Sequence, residues 1–187
     1  MSAKLKSDHN WLDEWASHLR GKRVLELGCG QGADTSLISG WAESLIACDL
    51  KPHSAPQNKA KIIELDHSKS LPFISGEFDV VVASLCLHYF LWADTENIIK
   101  NISRVLAKEG ILICRLNSDQ DFNYGAVGHP EIEPGLYDVN GASKRFFSQS
   151  DIHSLFGGRW ILRVLQHKTI DRYEKPKSVW ELGAVYA

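Results

Sequence analysis

Residues 24–35 read VLELGCGQGADT, and this stretch decides the fold. It opens with a short apolar run that has the length of a buried strand and is too short for a helix. Glycines then alternate at Gly28, Gly30 and Gly32, and a helical apolar pattern follows as far as Gly40. Because glycine tolerates positive φ and has no Cβ, the turn can be tight and a ligand can approach its backbone. A strand, a glycine turn and a helix in this order open the nucleotide site of α/β sheets.

The spacing of the glycines separates two kinds of nucleotide site. A dinucleotide-binding turn has the pattern G-x-G-x-x-G, whereas here the third glycine comes one residue early and Ala33 follows it. Glu26 also stands two residues before the first glycine. The pattern E-x-G-x-G-x-G resembles motif I of the class I S-adenosylmethionine-dependent methyltransferases. In that family the acidic residue anchors the loop and attracts the ammonium of the cofactor. The resemblance implies that the cofactor contacts Glu26, Gly28, Cys29, Gly30 and Gly32.

Acidic residues end the next two predicted strands, residues 44–50 and 61–66. A carboxylate at the position of Asp49 can accept hydrogen bonds from both hydroxyls of a ribose, although a strand-end aspartate commonly serves a turn instead. NAD enzymes use the same device, so Asp49 indicates an adenosine-containing ligand without choosing between cofactors. Asp66 matches the place where the family sets an acidic residue near adenine, but it could equally cap the following turn. The resemblance extends the predicted cofactor contacts to Leu50 and His67.

The fourth predicted strand, residues 77–84, has a near-continuous valine run that is typical of a parallel strand covered on both faces. The segment after it lies at the carboxyl end, where open α/β sheets place ligands. Family members carry a similar segment beside the sulfonium, which implies that Ser84 and Leu85 contact the cofactor. His88 is the candidate catalytic residue, because the ordinary pKa of histidine lies near neutrality. The alternative interpretation is a histidine that only packs or walls the cofactor.

Residues 117–145 form a long insertion with no regular periodicity, rich in Gly, Asn, Asp and Pro. Loops of this length in a compact domain are usually functional or disordered. The aromatic residues in this segment favour a packed lid on the substrate side. Candidate residues for the wall of an acceptor pocket are Tyr89, Tyr124, His129 and Tyr137.

The remaining pattern completes an α/β fold. Helices are predicted at residues 8–19, at 92–106 and from a capping box at 148 to 157, and strands at 111–116, 159–168 and 178–186. Residues 51–61 contain helix breakers, so the helix usual at this point is shortened or lost. Two final strands without a helix between them imply an antiparallel last strand. We therefore expect one domain over residues 1–187, doubly wound, with a mostly parallel seven-stranded sheet of the class I methyltransferase fold.

Composition limits the partners. The net charge of −2 provides no electrostatic footprint for nucleic acid or an anionic membrane. The apolar runs are too short to span a membrane and the start lacks the apolar core of a signal peptide, so a cytoplasmic location is expected. The four cysteines have neither C-x-x-C nor zinc-type spacing, which predicts buried free thiols and no metal site.

The resemblance implies in-line methyl transfer from S-adenosylmethionine to a small-molecule acceptor, with S-adenosylhomocysteine as product. A general base is required only for a weakly acidic hydroxyl or a protonated amine. No Asn-Pro-Pro-Tyr type motif follows the fourth strand, which weakens a nucleobase as acceptor. Two alternatives stay open: an NAD(P)-dependent oxidoreductase, and a catalytically silent adapter with a methyltransferase fold. The oligomeric state and the acceptor atom are not indicated.

Overall fold

The structure, a computed structural model, describes residues 11–53 and 60–187. Within these ranges a 3-10 turn at Asp13–Trp15 precedes four α-helices: α1 (Ala16–Leu19), α2 (Ala33–Trp41), α3 (Trp92–Val105) and α4 (Gln149–Leu155). None of the helices in the described ranges is long and apolar enough to cross a membrane.

The strands form one large and one small sheet. The large sheet has seven strands in the order β3-β2-β1-β4-β5-β10-β9, and the small one has the order β6-β7-β8. The strands, in chain order, are β1 (Arg23–Leu27), β2 (Ser44–Asp49), β3 (Ala60–Glu64), β4 (Phe78–Ser84), β5 (Leu106–Asn117), β6 (Glu131–Glu133), β7 (Leu136–Val139), β8 (Ala142–Arg145), β9 (Trp160–Ile170) and β10 (Lys177–Tyr186).

Strand direction confirms the predicted fold class. The pairs among β1 to β5 are parallel, and β10 runs antiparallel to both β5 and β9. This is the mostly parallel seven-stranded sheet with one reversed strand that distinguishes the class I methyltransferase fold. Since β1 to β5 are parallel, the segments that follow them all emerge at one edge of the sheet, where open α/β sheets place their ligands.

The core lies on both faces of the large sheet because neighbouring residues of a strand face opposite ways. On β4, Val80 and Val82 pack with the residues around α1 and α2, whereas Val81 and Ala83 pack with α3 and α4. Four apolar residues of the first layer, all buried, had been expected in one helix: Trp11, Leu12, Trp15 and Leu19. The described part of that helix is a 3-10 turn followed by only four α-helical residues, and residues 8–10 lie outside the described ranges.

The start of β5 also differs from the prediction. Strand β5 begins at Leu106 rather than at residue 111, and its register against β4 shifts between Phe78 and Val80. Glu109 takes a positive φ of 60° in that irregular part, a conformation that no periodicity signals. Of the predicted breaker segment 51–61, residues 54–59 lie outside the described ranges.

The prediction of an irregular insertion is wrong for its second half, which forms the small antiparallel sheet β6-β7-β8. These strands have three or four residues each, too few to show an alternating pattern. Arg145 ties this sheet to the main body. Its side chain is buried, pairs with Glu133, donates from Nε to the carbonyl of Phe90 at 3.2 Å and lies over the ring of Trp92.

All four cysteines are buried and none forms a disulfide, as predicted. Burial raises the pKa of the Cys48 thiol to about 12 and keeps the pKa of the Cys86 thiol well above its usual range. These thiols therefore stay protonated and serve as small apolar packing groups.

Candidate active site

The glycine turn joins β1 to α2 at the carboxyl edge of the large sheet. Gly28, Gly30 and Gly32 all take positive φ, at 69°, 50° and 81°. The turn is tied to the next strand by the Cys29 N–H, which donates to the carbonyl of Cys48 at 2.9 Å. Gly32 is the N-cap of α2, so the positive end of that helix dipole faces the turn.

The space around the glycines differs between positions. A Cβ on Gly28 would lie 2.4 Å from the Cβ of Cys86, so this glycine is required for the turn to pack against the end of β4. A Cβ on Gly30 would meet no atom within 4 Å. Gly28 therefore serves the fold, whereas Gly30 leaves a stretch of backbone open to a ligand.

Glu26 is buried beneath the turn, with 3% of its surface exposed. Its Oε2 accepts a hydrogen bond of 2.6 Å from the Thr35 hydroxyl in α2. Burial raises the pKa of Glu26 to about 8, and the Thr35 hydrogen bond opposes that shift only in part. At neutral pH the side chain is therefore mostly protonated, and a cationic ligand group beside it would favour the carboxylate.

Asp49 fastens the turn from the end of β2. One carboxylate oxygen accepts the N–H of Gly30 at 3.0 Å and the other accepts the N–H of Lys51 at 3.1 Å. Asp49 thus serves a turn, one of its two predicted roles. The ribose role is compatible with this, because a carboxylate has about four acceptor positions. The neighbouring Leu50 has 58% of its surface exposed at the same edge and provides an apolar contact surface there.

We expect Asp49→Ala to weaken binding of S-adenosylhomocysteine by about 1–3 kcal/mol, since two ribose hydroxyls would lose their acceptor. Asp49→Asn is the matched control for the loop, because its amide oxygen can still accept one backbone N–H. Isothermal titration calorimetry on the folded variants measures the effect. If Asp49→Ala binds as tightly as wild type, Asp49 serves only the turn.

The segment after β3 contains Asp66 and His67. Oδ1 of Asp66 accepts from the backbone N–H and the hydroxyl of Ser68, at 2.9 and 2.6 Å, and these hydrogen bonds lower the pKa of Asp66. Asp66 therefore caps the following turn, while its other oxygen accepts no hydrogen bond from the described residues. His67 is buried, with Nε2 3.2 Å from the carbonyl of Cys86, and burial lowers its pKa.

Strand β4 ends in a turn in which one non-glycine residue takes an uncommon backbone conformation. Leu85 takes a φ of 55°, and its N–H donates to the carbonyl of Arg115 at 2.9 Å. Arg115 was not recognised as a site residue. It is fully buried, donates from Nε and Nη2 to the Ser84 hydroxyl at 3.0 and 2.9 Å, and lies 4.1 Å from the ring of Trp11. An arginine within the apolar strand ILICRLN was the available signal, since arginine is rarely buried without a partner.

A cavity of about 280 Å³, here called the His88 cavity, opens beside this turn. Its walls come from the segment after β4, the end of β5, the insertion and the approach to β10: Leu85, His88, Tyr89, Asn117, Tyr124, Lys144, Tyr173 and Lys177. Three of the predicted catalytic and acceptor-pocket residues, His88, Tyr89 and Tyr124, thus line one cavity, as does Leu85, a predicted cofactor contact. The tyrosines give it aromatic walls.

His88 is 5% exposed, and its Nδ1 is buried without a hydrogen-bond partner among the described residues. Burial lowers the pKa of His88 to about 3, and the positive charges of Lys177 and Lys144 act in the same direction. The imidazole is therefore neutral at physiological pH. It can form a hydrogen bond with a bound molecule, but it is a weak base.

His129 and Tyr137, also predicted as acceptor contacts, lie elsewhere. They line a second cavity of about 510 Å³, together with Ser148 and Asp151 at the start of α4. The small sheet carries Lys144 on β8 into the His88 cavity and Tyr137 on β7 into the second one. A larger cavity, of about 630 Å³, lies at the opposite edge of the large sheet, where Lys22 and Gly110 line it away from the glycine turn.

Residues 25–114 match the family model described as a methyltransferase domain. Over this range the sequence is similar to methyltransferase domains, and the chain has the class I fold. The matched range runs from β1 to β5 and includes the glycine turn, Asp49 and His88. An uncharacterized methyltransferase of Synechocystis is 32% identical over 95 residues, which make up 49% of this chain and 45% of that protein. The match therefore spans less than half the length of that relative.

Solved structures resemble both the range matched by the family model and the C-terminal strands of this chain. A Methanosarcina mazei SAM-dependent methyltransferase has a TM-score of 0.72 at 18% identity, covering 89% of this chain and 93% of that one. The 1,6-didemethyltoxoflavin-N1-methyltransferase of Burkholderia thailandensis, solved with 1,6-didemethyltoxoflavin and S-adenosylhomocysteine, has a TM-score of 0.76 at 17% identity, with 98% and 80% covered. Magnesium protoporphyrin IX methyltransferase of Synechocystis, solved with SAM, has a TM-score of 0.64 at 14% identity, with 93% and 76% covered. At these identities the likeness concerns the fold.

Proposed function

We propose that the protein is an S-adenosylmethionine-dependent methyltransferase that methylates a small molecule held in the His88 cavity. One observation carries the proposal: Leu85 follows β4 next to the glycine turn and also lines the His88 cavity. A cofactor on the turn and an acceptor in the cavity would therefore be neighbours. The family match over residues 25–114 and the reversed strand β10 support the same assignment.

The residues present fit the cofactor. The open side of Gly30 admits a ligand to the backbone, and buried Glu26 offers a carboxyl group to an ammonium. Asp49 and Leu50 would hold the ribose and the adenine, with Asp66 at the far end of the same edge. When bound, the cofactor supplies an electrophilic methyl group on a positively charged sulfur. The protein then contributes alignment and exclusion of water for an in-line displacement.

On the acceptor side, His88 lines the cavity and orients the bound molecule through its imidazole. A histidine with a pKa of about 3 takes up a proton poorly at neutral pH, because general-base efficiency is highest when the pKa lies near the operating pH. His88 is therefore a positioning residue in this proposal. The insertion supplies Tyr124 and Lys144 as the outer wall of the cavity, which supports its proposed role on the substrate side. We also propose that the insertion orders further when ligand binds.

The alternative functions are not favoured. An NAD(P)-dependent oxidoreductase would use a dinucleotide turn, and here both the glycine spacing and the antiparallel β10 differ from that type. A catalytically silent adapter is less favoured because Glu26, the three glycines and Asp49 are present together, and Asp49 accepts the N–H of Gly30 in the turn. The net charge of −2 and the small size of the cavity support a small molecule over nucleic acid. The cytoplasmic location stays a prediction.

Thermal unfolding with two ligands tests the proposed function. We expect S-adenosylhomocysteine at a hundredfold excess over its dissociation constant to stabilise the protein by about 2.7 kcal/mol, a rise in Tm of several degrees. NAD at the same concentration should leave Tm unchanged. Equal or larger stabilisation by NAD would overturn the methyltransferase assignment.

A further inference from the structure

The charges around the His88 cavity are unbalanced. Lys144 and Lys177 line it, whereas no aspartate or glutamate within residues 11–53 and 60–187 does. Lys177 is 8% exposed and pairs at 3.1 Å with Asp121, which lies behind it and is also buried. Lys144 makes no ion pair with any residue in the described ranges. One positive charge at the cavity is therefore uncompensated by the described part of the chain.

Two residues that line the cavity also carry a buried polar atom without a partner among the described residues: Nδ1 of His88 and Oδ1 of Asn117. The amide of Asn117 is held by a hydrogen bond of 3.2 Å from its Nδ2 to the carbonyl of Arg145. The cavity therefore offers a ligand polar side chains beside its aromatic walls.

The shape of the cavity limits the ligand further. Its volume of about 280 Å³ lies at the lower end of the range for small-molecule sites. The side chains of Tyr89, Tyr124 and Tyr173 provide aromatic walls, which favour planar rings. Lys177 lies 5.5 Å from the ring of Tyr124 and 5.9 Å from that of Tyr173. These contacts hold its ammonium at the aromatic wall.

We infer, on the basis of the proposed function, that the methyl acceptor is an anionic aromatic molecule of one or two rings. Its negative charge lies between Lys144 and Lys177. The cavity selects against cationic acceptors, because two ammonium groups line it and none of the described residues adds a carboxylate to the wall.

Two probes of the same shape test this inference: 4-hydroxybenzoate, which is anionic, and 4-hydroxybenzamide, which is neutral. Calorimetric titration of the full chain, with and without saturating S-adenosylhomocysteine, measures both affinities. We expect 4-hydroxybenzoate to bind about tenfold more tightly than the amide at low salt, with the difference shrinking as salt rises. Equal affinities, or no binding of either probe, would overturn the inference.

Charge-removing variants assign the effect to the cavity. We expect Lys144→Met to remove most of the preference for 4-hydroxybenzoate, whereas Lys100→Met, which removes an exposed lysine of α3, leaves it unchanged. Lys177→Met would leave buried Asp121 unpaired, so the Lys177→Met, Asp121→Asn double variant is used instead. An unchanged preference in Lys144→Met and in the double variant would contradict the inference. Binding of S-adenosylhomocysteine, measured separately, shows whether the proposed function itself fails.

Discussion

Gly30→Val is expected to lower the affinity for S-adenosylhomocysteine by more than about 100-fold while the protein stays folded. A Cβ at this position meets no atom within 4 Å, so the side chain enters the open space over the turn rather than the core. There it takes up volume next to backbone that the cofactor must approach. The expected loss of stability is about 1–2 kcal/mol, because a branched residue would sit at a φ of 50°. Calorimetric titration and urea unfolding measure the two effects.

Two other glycines are the controls for this experiment. Gly21 has a φ of 66° and an equally open surrounding, but it lies between α1 and β1 at the opposite edge of the sheet. Gly21→Val should therefore cost similar stability and leave the affinity unchanged. Gly28→Ala should cost about 2–4 kcal/mol of stability, because its Cβ would clash with Cys86. Wild-type affinity in folded Gly30→Val would show that the cofactor does not lie on this turn.

The fold could be predicted because its signals are local. The valine run of β4 is long enough to indicate a strand buried on both faces, and Phe78–Ser84 forms one. Ser148 and Asp151 form the capping box that their spacing indicates at the start of α4. The reversed strand β10 followed from the absence of a helix after β9. The sequence does not indicate the β6-β7-β8 sheet, because its strands have only three or four residues and so show no alternating pattern.

The cofactor side of the site was more predictable than the acceptor side for a related reason. Glu26 and the glycines lie within one short stretch, and Asp49 lies at the end of a strand that β1 pairs with. The His88 cavity, in contrast, is assembled from distant segments. Lys177 and Asn117 meet there because β10 pairs with β5 in a register that sets Val179 opposite Asn117. No pattern in the sequence indicates that register, so neither residue was predicted.

Sequence patterns also fail to separate the roles of single residues in the insertion. Tyr124 and Tyr137 are both aromatic residues of the insertion, and sequence alone predicts the same role for both. The small sheet separates them, because Tyr124 precedes it and lines the His88 cavity, whereas Tyr137 lies on β7 beside Phe146. Arg145 of the small sheet donates to the carbonyl of Phe90 in the segment after β4. This contact, which places the insertion at the carboxyl edge of the large sheet, joins distant parts of the chain and has no signal in the sequence.

Glu26 provides the second large effect, a dependence of stability on pH. The folded protein holds the Glu26 proton up to a pKa of about 8, whereas in the unfolded chain the pKa returns to about 4.5. Between these values the folded state binds more protons than the unfolded state, so the free energy of unfolding falls as pH rises. We expect wild type to lose up to about 1.4 kcal/mol per pH unit relative to Glu26→Gln across this window. Above pH 8 the difference should be constant.

Urea unfolding of both proteins from pH 5 to 8.5, each with and without saturating S-adenosylhomocysteine, measures this difference. Glu26→Gln keeps an acceptor for the Thr35 hydroxyl, and Glu96→Gln on the exposed face of α3 is the control for removing a carboxylate. An ammonium bound beside Glu26 favours its carboxylate, so the ligand should flatten the slope of wild type and release part of a proton on binding at pH 7. Parallel curves for wild type and Glu26→Gln would contradict the shifted pKa. A slope that the bound ligand leaves unchanged would show that the ammonium lies away from Glu26.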